Sequence, residues 1–80
     1  MKQKLQNVID LLNQMLEENA VPKNVRARID KTIILLQKDE ESQIKISKAM
    51  HELEDISNDT NMQSDTRTQI FNIISVLEVA

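Results

Sequence analysis

Several residue types that commonly build tight turns or reactive sites are missing from this chain of 80 residues. Glycine, cysteine, tryptophan and tyrosine are absent, and proline and phenylalanine occur once each. Tight β-hairpin turns usually need glycine, so its absence argues against sheet structure and excludes the glycine-rich loops that hold phosphate. Without cysteine there is no disulfide, no thiolate metal ligand and no thiol nucleophile.

Two further absences bear on location and cofactors. No apolar run approaches the roughly 20 residues that a membrane-spanning helix needs, and the first residues are too polar for a signal peptide. We therefore expect a cytoplasmic protein. The single histidine leaves too few ligands for a dedicated metal site, so neither a metal nor another cofactor is expected.

The residues that are present favour helices. Apolar side chains recur three and four positions apart in four segments, which predicts amphipathic helices at about residues 2–18, 22–38, 42–57 and 62–79. A chain of this length has room for one core, so we expect a single all-α domain at residues 1–80, a small four-helix bundle of the up-down type. The helix ends are expected at the following residues: Asn19 and Asn58 as stops, Pro22 in the first turn of the second helix, and Ser42, Asn61 or Ser64 as caps.

Regularity beyond the helices is faint. A basic residue stands before an apolar stripe at positions 25–26, 44–45 and 66–67, but spacings of 19 and 22 residues are too irregular for a solenoid. We interpret the pattern as three helices with similar packing roles. Charge is uneven, because residues 1–38 hold seven basic and four acidic side chains (+3) and residues 39–80 hold three and nine (−6). Opposite charge of this kind favours weak attraction between the halves of one chain or of two chains.

Some apolar residues lie outside the stripes. Ile34 lies opposite the stripe of the second helix and Leu35 on its flank, and Phe71 and Val76 lie off the stripe of the fourth helix. One interpretation places a helix centrally, covered by the other three. The other assigns these four residues to an interface with a second copy or another protein. The third helix, with one stripe and a charged back, is expected to be complete as a monomer surface.

The basic residues also allow two interpretations. Arg67 in the first turn of the fourth helix opposes the helix dipole. We therefore expect it to clamp the preceding turn through Asp59, Asp65 or turn carbonyls, and an anion or nucleic-acid contact is the alternative.

A second group of basic residues lies in the first half of the second helix. We interpret it as a solvated face, with Arg26 paired to Asp30, or alternatively as a nucleic-acid contact. Its members are Lys23, Arg26, Arg28 and Lys31.

No catalytic constellation is visible. The serines are explained as caps or surface residues, and His51 is the only candidate base of its kind. We interpret His51, with Asp55 four residues later, as an exposed side chain rather than a metal ligand. The chain is therefore expected not to be an enzyme.

Two segments resemble a known family. The run from Val21 to Arg26 and the run from Ile56 to Gln63, continued to Ile70, resemble a family of small archaeal proteins of unknown function, the uncharacterised protein family numbered 0147. The resemblance covers essentially the whole chain and implies a compact helical bundle, an archaeal source and no assigned activity. The positions it marks as typical of the family are Pro22, Asn24, Arg26, Asn58, Asp59, Asn61, Arg67 and Thr68.

Taken together, these patterns predict a small non-enzymatic module for protein–protein interaction, beginning with itself as a homo-oligomer. The alternative is a nucleic-acid or ribosome-associated accessory protein that uses Lys23, Arg26, Arg28 and Arg67.

Overall fold

Four α-helices account for most of the chain in the computed structural model, which describes residues 2–18 and 21–79 and the side chains from residue 5 onward. They are α1 (Lys2–Leu16), α2 (Lys23–Leu36), α3 (Ser42–Ile56) and α4 (Ser64–Glu78). The predicted all-α class is confirmed, and each helix is one to three residues shorter than its hydrophobic pattern suggested. Since helix ends fray and tighten, differences of this size are expected.

The helices follow an up-down course. Each helix contacts its neighbours in the chain, and α1 also contacts α4, whereas the pairs α1–α3 and α2–α4 make no contact within the described part. This pattern is that of a square of four antiparallel neighbours. The α1–α2 and α3–α4 connections consequently share one end of the bundle, and the α2–α3 connection (residues 37–41) lies at the other.

The core is formed by the predicted stripes. One side chain from each helix is completely buried in it, and these are Leu12, Ile29, Leu53 and Ile70. Val21 and Met62, in the two connections at the shared end, are buried as well. The remaining buried apolar side chains are Leu5, Val8, Ile9, Met15, Val25, Ile33, Leu36, Ile46, Ala49, Ile56, Ile73, Ile74 and Leu77.

The helix ends differ from the expected caps. Pro22, Glu41 and Gln63 occupy the N-cap positions of α2, α3 and α4, and none makes a side-chain capping bond. Ser42 and Ser64 are therefore first helical residues, and Asn61 lies before the cap, so these cap assignments were wrong. Asn58 lies beyond the Ser57 cap that ends α3, and no described residue has a positive φ. The expected stop at Asn19 falls outside the described residues.

The two helical hairpins repeat the same pattern with a period of 41 residues. Leu12 and Leu53, Ile29 and Ile70, Ile33 and Ile74, and Leu36 and Leu77 are identical pairs at this spacing, and every one of these side chains is buried. Arg26 and Arg67 form a fifth identical pair. A twofold rotation that exchanges the hairpins would also exchange the α2–α3 and α1–α4 contacts. The spacings of 19 and 22 residues between the basic positions add up to this period.

Candidate functional site

The end of the bundle that carries two connections, called here the two-turn end, consists of residues 17, 18, 21–24 and 57–65. Arg67 reaches back to it from the first turn of α4. Its Nε donates to the carbonyl of Ser57 at 2.9 Å and a terminal guanidinium nitrogen donates to the carbonyl of Asp59 at 2.8 Å. The predicted clamp of the α3–α4 turn is confirmed. Its partners are turn carbonyls and not the carboxylates of Asp59 or Asp65.

Arg26 performs the same task in the first hairpin. Its guanidinium donates to the carbonyl of Val21 at 3.2 Å and to the carbonyls of Leu16 and Glu18. Leu16 ends α1, so the cation lies where helix carbonyls lack partners within the helix and where the helix dipole is negative. The interpretation of Arg26 as a solvated side chain paired with Asp30 was wrong, because its donors are directed at the α1–α2 turn.

Asp59 joins the two turns. One carboxylate oxygen accepts a 2.7 Å bond from Asn24 of the first hairpin, and the other accepts a 2.8 Å bond from the backbone N–H of Asn61. Its carbonyl is held by Arg67. A second link between the hairpins runs from the Gln69 side-chain amide of α4 to the Glu18 carboxylate of the first connection at 2.9 Å. These bonds fix the position of one hairpin against the other at this end.

The other positions marked by the family resemblance have local roles at the same end. Pro22 is the N-cap residue before α2 and not a residue of its first turn as expected, and its carbonyl accepts the backbone N–H of Arg26 at 2.9 Å. The exposed Thr68 hydroxyl donates to the carbonyl of Ser64 at 3.0 Å, and the backbone N–H of Asn58 bonds to Asp55. All eight marked residues therefore lie in or beside the two-turn end. The side chains of four of them hold its backbone or join its turns, and these are Asn24, Arg26, Asp59 and Arg67.

Arg28 connects α2 to α3. Its Nε lies 3.0 Å from a Glu52 carboxylate oxygen, and a terminal nitrogen lies 2.5 Å from Asp55. The hydrogen bond to Asp55, followed by that to Glu52, raises the pKa of Arg28 above its usual value, although partial burial acts in the opposite direction. Arg28 was expected on a solvated face and is instead committed to an ion pair across the helix interface.

An open groove of about 680 Å³ lies along α2 and α3 and is called here the α2–α3 groove. Its apolar lining comes from Ile34, Leu35 and Met50. Ile34 is 53 % exposed, whereas Leu35 and Met50 are partly buried against the core. Charged and polar side chains surround this lining, and they are Lys31, Lys38, Lys48, His51, Glu52 and Glu54. The expectation that α3 is complete as a monomer surface was wrong, because α3 supplies half of this groove and also an exposed Ile44.

The four predicted interface residues do not form one surface. Ile34 and Leu35 line the α2–α3 groove, but Phe71 and Val76 lie on α4, which makes no contact with α2. On a helical wheel Phe71 and Val76 lie on opposite flanks of the buried stripe. Phe71 is 50 % exposed, whereas Val76 packs partly against the core. The two pairs therefore lie on different faces of the bundle, and the helix beside Ile34 and Leu35 is α3.

Sequence reasoning missed several lining residues of the groove, among them Lys38, Lys48, Met50 and Glu54. The 41-residue repeat offers a signal for part of the groove, because Ile34 and Lys38 correspond to Ser75 and Val79 in the second hairpin and so differ from them in character.

His51 is exposed, as expected, and lies in the groove. Within the described residues no group of three or more His, Cys, Asp or Glu side chains is placed to hold a metal ion, and no helix is both long and apolar enough to span a membrane.

Known proteins with similar sequences belong to a family without an assigned role, and a solved structure that is similar is also of unknown function. A family model described as "Uncharacterised protein family (UPF0147)" matches residues 1–80. A UPF0147 protein of Methanocaldococcus jannaschii is 40% identical over 75 residues, with 92% of this chain and 81% of that protein covered. A UPF0147 protein of Pyrococcus horikoshii is 33% identical over 79 residues, with 96% and 85% covered. The crystal structure of the unknown function protein MMP1188 matches with a TM-score of 0.89 and 38% identity, covering 96% of this chain and 89% of that one.

Proposed function

Because the chain belongs to the uncharacterised protein family UPF0147, whose name assigns no activity, we propose a function from its own geometry: it is a non-enzymatic protein-interaction module. The α2–α3 groove receives an amphipathic helix of another polypeptide, with the apolar side of that helix on Ile34, Leu35 and Met50. The flanking lysines and glutamates pair with its charges. We place this interaction in the cytoplasm, in keeping with a charge-rich chain that contains no cysteine.

The observation that carries the proposal is the exposure of Ile34. Half of this side chain faces water, and it is the most exposed large apolar side chain that α2 presents, beside Leu35 and Met50 in the groove. The equivalent position in the second hairpin is the exposed Ser75, so the fold does not require an apolar residue there. Covering Ile34 removes apolar surface from water at a gain of about 25 cal/mol per Å². A binding role accounts for an isoleucine at this position, whereas packing of the monomer does not.

The alternative of nucleic-acid binding loses three of its four residues. Arg26 and Arg67 donate to turn carbonyls, and Arg28 is paired with two carboxylates. Phosphate binding would require these bonds to break, because each guanidinium already has partners within the chain. Lys23 is the remaining exposed cation of that set. We therefore do not extend the proposal to nucleic acid.

The test uses a photo-crosslinking amino acid at position 34 of the full chain, produced in its native source. We expect one crosslinked polypeptide, which is then purified and recombined with the unlabelled protein. The Leu35→Glu variant should abolish binding to that purified polypeptide, because a carboxylate in the groove would be buried against an apolar surface.

The matched control carries the crosslinker at position 65. Asp65 is exposed in the first turn of α4 and lies away from the groove. Equal yields at positions 34 and 65, or no crosslinked product at position 34, would contradict the proposal. A product that binds Leu35→Glu as tightly as the unmodified chain would contradict it too.

A further inference from the structure

We infer that the helix seated in the α2–α3 groove is acidic, with two carboxylates about two turns apart on either side of its apolar contact residues. This inference rests on the proposed function and names the chemistry of the partner. The two carboxylates pair with Lys31 and Lys38, which lie on either side of the exposed apolar surface of α2.

The spacing of these lysines defines the spacing of the carboxylates. Lys31, Ile34, Leu35 and Lys38 occupy positions i, i+3, i+4 and i+7, so they follow one side of the helix. The backbone N–H of Lys38 bonds to the carbonyl of Leu35 at 3.3 Å, which continues the helical turn to this residue. The two lysines are therefore about 10 Å apart along the axis at 1.5 Å per residue. A partner helix that runs along the groove places residues seven positions apart at the same distance.

Both lysines are available to a partner. Their side chains are exposed, and neither takes part in an ion pair within the described part of the chain. Lys48, on the α3 side of the groove, has a contact of 3.4 Å to Glu40. A solvent-exposed pair of this kind contributes little free energy, so Lys48 can exchange it for a carboxylate of the partner.

The carboxylates of the groove lining do not offset these lysines. Glu52 is already paired with Arg28 at 3.0 Å. Since this pair sets residues 28 and 52 level, Glu54 lies level with about residue 26, roughly 8 Å beyond Lys31 toward the two-turn end. The acidic residues of the α2–α3 connection lie outside the lining, and these are Asp39, Glu40 and Glu41. The stretch of the groove from Lys31 to Lys38 is therefore basic, although the chain as a whole carries a charge of −3.

The second hairpin shows that core packing does not require these lysines. Under the 41-residue repeat, the groove between α4 and α1 is the counterpart of the α2–α3 groove. Lys31, Lys38 and Lys48 correspond there to Asn72, Val79 and Asn7, and His51 corresponds to Asp10. Ile34 corresponds to the exposed Ser75. The exposed isoleucine and the three lysines occur together in one groove and are replaced together in the other, which favours a shared role in one contact.

A second copy of this chain fits the groove less well. Two copies bound groove to groove bring the lysines of both together, and like charges in contact oppose binding. The chain also contains no segment of the inferred kind. Its acidic pairs seven residues apart are Asp10 with Glu17 and Glu52 with Asp59, and neither pair has apolar residues at both of the positions between that would contact the groove.

The experiment measures binding of the segment that the crosslink at position 34 identifies. Mass spectrometry of the crosslinked product locates this segment, which is synthesised as a peptide and titrated into the full chain at 0.1 M salt by fluorescence anisotropy. Lys31→Glu and Lys38→Glu should each weaken binding about tenfold, because an attraction becomes a repulsion, and Lys38→Gln should weaken it about threefold. Raising the salt concentration to 0.5 M should weaken binding of the unmodified chain about tenfold.

Two controls separate the groove from the net charge. Lys23→Glu makes the same change of charge at an exposed site outside the groove and should alter binding by less than about twofold. A peptide with lysine in place of its two acidic residues should bind the double variant Lys31→Glu, Lys38→Glu within about threefold of the original affinity. Circular dichroism of every variant must show the original helix content, so that loss of binding is not loss of fold.

The outcomes separate this inference from the proposed function. Binding that is lost in Leu35→Glu but unchanged in both lysine variants overturns the acidic partner and leaves the proposed function standing. A located segment without two acidic residues about seven positions apart, a lysine-bearing peptide that fails to bind the double variant, or a crosslink to a second copy of this chain overturns it as well. A crosslink to lipid or nucleic acid, or no product at position 34, overturns both.

Discussion

Replacement of the two turn-clamping arginines by alanine tests the structural role assigned to the two-turn end. Arg67 makes two hydrogen bonds to backbone carbonyls, and Arg26 makes three. Hydrogen bonds from a charged donor contribute about 1.5–3 kcal/mol each when buried, and both side chains here are only partly buried. Halving that value gives a loss of about 2 kcal/mol for Arg67→Ala and about 3 kcal/mol for Arg26→Ala.

For a domain of this size, 1 kcal/mol corresponds to about 4–8 °C in the melting temperature. Arg67→Ala should therefore lower it by roughly 8–16 °C, and Arg26→Ala should lower it further, as followed by circular dichroism at 222 nm. Lys23→Ala is the matched control, because this exposed cation in the first turn of α2 makes no clamp and should change stability by less than about 0.5 kcal/mol. If both arginine variants fall within the range of that control, the clamp reasoning is refuted.

Three other predictions concern the core, the link between the turns and the ion pair. Leu53→Ala removes a fully buried side chain and should cost about 2–5 kcal/mol in urea unfolding; a loss under 1 kcal/mol would mean that the site is not packed as described. Asn24→Ala and Asp59→Ala should show a coupling of about 0.5–1 kcal/mol in a double-mutant cycle, and additive effects would mean that their 2.7 Å bond does not contribute. Arg28→Gln should cost less than about 1 kcal/mol at 0.1 M salt and almost nothing at 1 M, because its ion pairs are solvent-accessible; a salt-independent loss would point to packing instead.

The fold was accessible from the sequence because the apolar stripes of all four helices follow the helical period. Capping was less accessible. Ser42, Asn61 and Ser64 have side chains that suit caps, yet the N-caps are Pro22, Glu41 and Gln63, without side-chain bonds. The residue type shows which side chains are able to cap a helix. The packing of the helix against its neighbours decides where its first turn begins.

The role of Arg26 was inaccessible for a related reason. Its nearest acidic residue at helical spacing is Asp30, and a sequence shows that pair but not the carbonyls of a preceding turn that folds back beneath the guanidinium. The clamp by Arg67 was predicted because a cation in the first turn opposes the helix dipole. Arg26 occupies the same position in α2, but its spacing to Asp30 offered an ordinary ion pair instead. The 41-residue repeat would have connected the two, since both arginines occupy the same place in their hairpins.

Only the α2 side of the α2–α3 groove could be predicted from the sequence. The wheel identified Ile34 and Leu35 as surplus apolar residues of α2, but it carried no information on which helix lies beside them. Phe71 was grouped with Ile34 and Leu35 because it also lies off the stripe of its helix. In the bundle, however, α4 lies diagonally opposite α2. Met50, Lys48 and Glu54 line the groove because α3 packs beside α2. The hydrophobic periodicity of a single helix does not show which helix lies beside it.

The most direct test of the α2–α3 groove as the binding surface is methyl-resolved nuclear magnetic resonance of the full chain during titration with the purified crosslinked polypeptide. The methyl signals of Ile34, Leu35 and Met50 should shift together along one binding curve, while those of Leu11 on α1 stay in place. Shifts confined to Leu11, or no change in any of these signals over the titration, would contradict the assignment of this groove as the interface.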